Sequence, residues 1–214
     1  MSLTIWLAGR EDCPAVLDLL LGRAAWLRNR GSDQWHNFDE KQDKLEQVVA
    51  AGRTWLMRDG DDGTPLGTIT FTDADPEFWT PEEQRTPALY LAKLATDPKV
   101  AGRGLGRTLL QFAMYMANAD STIEEVRFDV WKTAYDLHRY YEREGWTYVR
   151  TVDLPHRFSG VLFSREVVRP SVNQPPAGLE LRPFTPAGRL AKPRVTWEPG
   201  EREHGGADEG ILWS

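Results

Sequence analysis

Cysteine, histidine and long apolar runs are the scarce features of this sequence. Its single cysteine, Cys13, excludes an intramolecular disulfide and any zinc site built on cysteines. The four histidines (His36, His138, His156, His204) are scattered without ligand spacing, so no metal is expected. No run approaches the roughly 18 apolar residues of a membrane-spanning helix. The N-terminus has neither a basic leader region nor a long apolar core, so the expected location is the cytoplasm, away from membranes. Positive charge is also in deficit: 26 Lys and Arg against 32 Asp and Glu give a net charge of −6. The isoelectric point near 5.3 argues against a nucleic-acid surface. What the chain does have is nine tryptophans and 18 glycines in 214 residues, the size of one compact domain with a tail.

The stretch Leu94–Leu110, LATDPKVAGRGLGRTLL, organises the rest. Tyr90 to Ala95 reads as a buried strand, which Asp97-Pro98 stops. A glycine loop follows, Gly102-Arg103-Gly104-Leu105-Gly106. A helix then begins with Leu105, Leu109, Leu110, Phe112 and Ala113 on one face. Strand, glycine loop and helix start form the layout of an anion site. The first helical amides lack intrahelical partners, and the peptide dipoles add about half a positive charge there. Glycines let the backbone approach a bulky ligand, and Arg103 and Arg107 are placed to face a phosphate. The spacing is not the G-x-G-x-x-G of dinucleotide sites. No lysine follows the glycines, as an ATP-binding loop requires. An ordinary glycine turn before a core helix is the plain alternative.

Taken in order, Ser2–Ala8 alternates as a strand, and Asp12 with Pro14 opens a helix that runs to about Arg30-Gly31. A polar turn containing Trp35 follows. Asp39 is placed to cap a second helix that Gly52 ends. Strands over Thr54–Arg58 and Leu66–Thr72 flank a hairpin loop, and Asp73–Pro87 is a long polar loop carrying Phe78 and Trp79. After the central helix, which runs to about Ala119, come a strand over Val126–Trp131 and a helix over Tyr135–Arg143. Strands over Trp146–Val152 and Val161–Val168 complete the series. The expected fold class is α/β, a mixed sheet of about seven strands with helices on both faces. From Pro170 onward seven prolines and interspersed glycines mark residues 170–214 as an irregular tail.

The central stretch resembles motif A of the GCN5-related N-acetyltransferase (GNAT) family, V-x-P-x-x-[RQ]-x-x-G-x-[GA]. Thr96-Asp97-Pro98 lies on V-x-P, and Gly104 and Gly106 lie on the family glycines. Ala101 stands where Arg or Gln is usual. Leu137-His138-Arg139-Tyr140-Tyr141 to Gly145-Trp146 resembles motif B, with Tyr141 on the family tyrosine, Trp146 for Phe, and Ala134 where Asn is common. The resemblance covers roughly residues 2–168, and the pattern around Trp26–Trp35 and Arg127–Trp131 looks like actinobacterial members of the family. It implies a GNAT domain over residues 1–169 whose sheet is mainly antiparallel. It also implies acetyl-CoA as co-substrate, with a pyrophosphate cradle at Gly102, Arg103, Gly104, Leu105, Gly106 and Arg107. Leu94, Ala95 and Thr96 would hold the pantetheine.

The resemblance makes Tyr141 the acid that protonates the departing thiolate. Packing of Tyr140 and Tyr141 on the sheet is the alternative reading. The strand carries Lys93 where the family often has Glu, so no base is assigned among Asp33, Asp73, Asp75 and Asp129. Trp26, Trp35 and Trp79 either wall an acceptor cleft, where those acids would suit a cationic amine, or pack the core. The implied reaction is direct acetyl transfer to a primary amine of a small molecule, with a homodimer as the implied assembly. A catalytically silent CoA-binding or protein-interaction module is the rival reading, and acetylation of protein N-termini or lysines is a third.

Overall fold

A computed structural model describes residues 3–35, 42–60, 63–169 and 172–182. One sheet of eight strands, in the order β6-β7-β5-β4-β3-β2-β1-β8, carries helices on both faces. The elements are β1 (Leu3–Leu7), α1 (Cys13–Arg28), α2 (Gln42–Ala50), β2 (Thr54–Asp59), β3 (Pro65–Thr72), β4 (Ala88–Thr96) and α3 (Leu105–Ala119). Then come β5 (Glu125–Trp131), α4 (Tyr135–Arg143), β6 (Thr147–Thr151), β7 (Ser159–Glu166) and β8 (Leu179–Arg182). All neighbours are antiparallel except β4 with β5 and β1 with β8. Among the described residues no helix is long and apolar enough to cross a membrane.

Strand β8 is a correction. It falls in the stretch read as an irregular tail, and it extends the sheet by parallel pairing with β1, Leu3 opposite Leu179 through Trp6 opposite Arg182. Four residues between Gly178 and Pro183 are too short for a periodic signal. Asp12 also departs from expectation. Its carboxylate accepts from the Gly9 amide (2.9 Å) and the Trp6 indole (3.2 Å) rather than from the first turn of α1. Asp39, expected to cap α2, lies outside the described residues, as does the stretch from 183 to 214.

Two main cores lie on opposite faces of the sheet. On one, α3 buries Leu105, Leu109, Phe112, Ala113 and Met116 against Ile5, Met57, Ile69, Leu91, Phe128 and Phe163. On the other, α1 and α2 bury Val16, Leu20, Ala24, Leu27, Leu45 and Val49 against Leu56, Ala95 and Trp131. Each buried aliphatic or aromatic side chain contributes about 1.5–3 kcal/mol relative to exposure. A third, smaller cluster forms from Phe78, Trp79, Tyr90 and Leu162, so the loop after β3 is an apolar plug rather than a free polar loop.

Ion pairs and hydrogen bonds fix that plug. Arg150 donates to the Glu83 carboxylate at 2.7 and 3.2 Å and to the Phe78 carbonyl at 2.7 Å. Thr80 donates to the same carboxylate from its amide (2.8 Å) and hydroxyl (3.0 Å). Arg127 donates to the Glu83 carbonyl at 2.7 Å, and Arg157 pairs with Asp75 at 2.9 Å. Burial works to raise the Glu83 pKa, but the donors from Arg150 and Thr80 outweigh it and hold the carboxyl below its ordinary value.

A depressed folded-state pKa contributes stability above the unfolded carboxyl value of about 4.3, and this is lost as pH falls through the folded value. Glu83→Gln is therefore expected to cost about 1.5–3 kcal/mol near pH 7 and to flatten the decline of stability on acidification below pH 4.5. Urea unfolding across pH 3–7 measures both. Identical acid slopes for the two proteins would contradict the assignment.

Candidate active site

The parallel pairing of β4 with β5 lasts only from Ala88 opposite Glu125 to Leu91 opposite Phe128. Beyond it the strands part. On its other side β4 remains paired with β3, but the register slips between Thr68 and Thr70, where β4 carries an extra residue. Lys93 sits in this bulge with φ +49°, a left-handed conformation that costs a residue with a Cβ about 1–2 kcal/mol. One inserted residue reverses which face the following side chains meet. Leu91 and Leu94 accordingly pack toward α3, and Ala95 packs toward α1.

The parting leaves a narrow cleft with a cavity volume of about 40 Å³. Its walls include Lys93, Leu94, Asp129, Trp131, Trp35 and Tyr141. Tyr141 comes from α4, its ring against Phe128 (4.7 Å between centroids) and Phe163 (5.5 Å). It is 6% exposed. Burial first, then the neighbouring Tyr140, pushes its phenol well above the ordinary tyrosine range, and Arg23 opposes that rise. Trp35 has φ +59° and is held near β5 by Asp33, whose carboxylate accepts from the Thr133 hydroxyl at 2.5 Å. This bond joins the segment after α1 to the turn before α4.

The glycine loop lies past the end of β4, on the side where the strands have parted. Gly102 and Gly104 have φ of +83° and +76°, and no protein atom would stand within 4 Å of a Cβ on either. Gly104 is the residue that starts α3, and no side chain caps it. A Cβ on Gly106 would meet only the Tyr140 hydroxyl, at 3.8 Å. The protein's own packing therefore does not require glycine at 106, and the space is left for something outside the chain. Within the loop the Arg103 amide is already bonded to the Val100 carbonyl at 3.3 Å.

The sequence-derived residues are brought together unevenly. Leu94 lines the cleft, Ala95 is buried beneath α1, and Thr96 is half-buried at the end of β4. The Asp97 amide bonds the Leu66 carbonyl on β3 at 2.9 Å, so strand alternation turns the Thr96 amide the other way, toward the gap. Arg103 lies 3.5 Å from Asp59. The Arg107 side chain forks onto Glu144 at 2.6 and 2.5 Å, tying the start of α3 to the end of α4.

Trp79 is 2% exposed in the plug. Asp73 pairs with Arg53 (2.6 Å) and Asp75 with Arg157, so neither acid nor Trp79 lines the cleft as the cationic-amine expectation supposed. Burial raises Asp75 even against Arg157 and the Glu77 amide. His138 bonds the Trp131 carbonyl at 2.8 Å, and His156 pairs with Glu77. Among the described residues no group of three His, Cys, Asp or Glu is placed to hold a metal. Sequence reasoning passed over Arg23, which approaches Tyr141 from α1. An arginine on a helix otherwise read by its apolar spacing gave no signal.

Comparisons with known proteins agree with this geometry. A model of the GNAT acetyltransferase family matches residues 21–146. The chain is 26% identical over 145 residues to "Uncharacterized N-acetyltransferase YesJ" of Bacillus subtilis (strain 168), covering 65% of this chain and 78% of that protein. An acetyltransferase of the GNAT family from Listeria monocytogenes superposes with a TM-score of 0.64 at 20% identity, over 77% of this chain and 94% of that one. The PaiA N-acetyltransferase of Thermoplasma acidophilum, solved in complex with coenzyme A, gives 0.57 at 16% identity, over 78% and 99%. With its family match spanning more than half the sequence, this chain belongs to the GNAT acetyltransferase family.

Proposed function

We propose that the protein transfers the acetyl group of acetyl-CoA to the primary amine of a small molecule. The observation that carries this reading is the uncapped start of α3 behind Gly102–Gly106, placed where β4 and β5 have parted and Tyr141 lines the gap. The fit is good: the loop is open, a Cβ is missing where the protein has no use for its absence, and the helix start favours anions. The amides of Gly102, Gly104, Leu105, Gly106 and Arg107 would cradle the pyrophosphate. The edge of β4 from Leu94 to Thr96 would take the pantetheine. Arg107 serves through its amide, since its guanidinium is committed to Glu144. Family membership and the coenzyme A bound to the Thermoplasma neighbour support the same choice.

Bound acetyl-CoA supplies an activated acyl thioester. The C–N bond forms as the C–S bond breaks, and one proton must travel from the amine to the sulfur. Tyr141, in the wall of the cleft, would carry that transfer. Its raised pKa keeps it a phenol throughout the neutral range, always able to donate. A thiol ordinarily titrates near 8.5, so a phenol of such weak acidity gives up its proton only while taking another from the incoming nitrogen. Tyr141 is thus a relay. Asp129 lines the same cleft, and its carboxylate would take the extra proton of an arriving ammonium and pass it to solvent before the neutral amine attacks. The narrowness of the cleft and its walls of Trp35 and Trp131 support a small acceptor over a protein terminus. Lys93 in this cleft, where the family often has a glutamate, is what favours the silent-module reading. Release of CoA with an amine panel decides between the two, and absence of turnover with every amine and peptide would establish the silent module.

Two variants test the parts. Gly106→Glu is expected to leave the melting temperature within about 2 °C of wild type, since its Cβ has room and a first-turn acid suits the helix dipole. Acetyl-CoA affinity by calorimetry should nevertheless fall at least tenfold, and unchanged affinity would remove the cradle. Tyr141→Phe should lower kcat by about 100-fold with little change in KM for acetyl-CoA. The wild-type kcat should show no loss from phenol ionisation between pH 7 and 9. An unaltered kcat in the variant would remove the relay.

A further inference from the structure

The last turns of α1 carry an arrangement that the acetyl-transfer reading does not use. Arg23, Trp26 and Arg30 are spaced three and four residues apart and so share one helix face. Trp26 packs against the cluster that contains Trp35, Ala95 and Trp131, two of which line the cleft. Its indole carries two cations: the Arg23 guanidinium lies 4.4 Å from the ring centroid and that of Arg30 lies 4.2 Å away. Arg23 is half-buried and close enough to Tyr141 for phenol and guanidinium to feel each other's charge.

Two like charges beside one ring repel, and half-burial of Arg23 removes part of its hydration. Three other buried or half-buried arginines are matched by an acid, Glu125 for Arg127, Glu83 for Arg150 and Asp75 for Arg157, whereas Arg58 lies over Trp6 at 4.6 Å with no acid among the described residues. Arg23 and Arg30 have no hydrogen bond or ion pair among the described residues. The helix dipole accounts for a cation at Arg30, just past the end of α1, but not for Arg23, more than a turn earlier. Packing on Trp26 accounts for the carbon stem of Arg23 and leaves its charge unexplained. An arginine fork held flat by an aromatic ring is preorganised for a planar carboxylate.

We propose that Arg23 and Arg30, braced on Trp26, bind the carboxylate of the acceptor, so that the substrate is an amino acid or a related amino carboxylate. This rests on the acetyl-transfer reading of the cleft. With the carboxylate on Arg23, the acceptor's amine is directed toward Tyr141 and Asp129.

The test uses the full chain, CoA release, and matched sets: L-phenylalanine, phenylalaninamide and phenethylamine; L-lysine, lysinamide and cadaverine. At least one amino acid should exceed its amide and its decarboxylated amine by tenfold or more in kcat/KM. Arg23→Gln and Arg30→Gln should each collapse that ratio by raising the KM of the acid alone, with Arg23→Lys retaining part of it. Calorimetric affinity for acetyl-CoA should be unchanged in all three. Equal turnover of acid, amide and amine, or variants that weaken acetyl-CoA instead, would overturn the proposal. If acetyl-CoA binds and no amino carboxylate is acetylated, the carboxylate site is wrong. If acetyl-CoA does not bind the wild type, the reading of the cleft itself fails.

Discussion

Everything proposed for this molecule depends on β4 and β5 failing to stay paired. They are parallel neighbours for four residues each and then separate, although β4 stays hydrogen-bonded to β3 along its other edge. A bulge at Lys93 accompanies the change, held in a backbone conformation that such a residue does not adopt unaided. The break opens the cleft, places the free edge of β4 beside it, and reverses the strand so that Ala95 packs toward α1. A regular strand in the same place would close the gap, and the glycine loop would have nothing to lead into.

The gap needs rigid sides, and two sets of charged contacts supply them. Arg127, Arg150 and Arg157 bind the plug around Phe78 and Trp79 to the sheet on the β5–β7 side. Arg107 and Glu144 join the first turn of α3 to the end of α4, the two elements that carry the glycine loop and Tyr141. Breaking one partner of the part-buried plug pairs is costly, whereas the exposed Arg107–Glu144 pair adds little net stability. Their consequence here is positional: loop, phenol and strand edge are held in one frame before any ligand arrives, which is how binding energy becomes available for reaction.

Local features were legible in the sequence. The glycine spacing located the start of α3, the run Tyr90–Ala95 located β4, and the four-residue step from Tyr141 to Gly145 located the tyrosine of α4. Features made by distant partners were not. Asp73 and Asp75 read as acids of an acceptor cleft because Arg53 and Arg157 stand 20 and 82 residues away. Trp79 read equally well as cleft wall or core, and only the packing of the loop after β3 onto β4 and β7 makes it core. The bulge left no trace, since Leu91, Leu94 and Ala95 are apolar on both faces and give no alternation to break. Strand β8 is too short to show a period. Arg23 became informative only once its place on Trp26 and beside Tyr141 was visible.

The most direct test of the account is to follow the backbone amide resonances of the ¹⁵N-labelled protein as acetyl-CoA is added, with ATP as a control. The largest shifts are expected at Gly102, Gly104, Leu105 and Gly106, with a second set along Leu94–Thr96, and ATP should not reproduce the second set. Shifts confined to other parts of the sheet, or a loop that responds to neither compound, would contradict the claim that the parting of β4 and β5 builds the acetyl-CoA site.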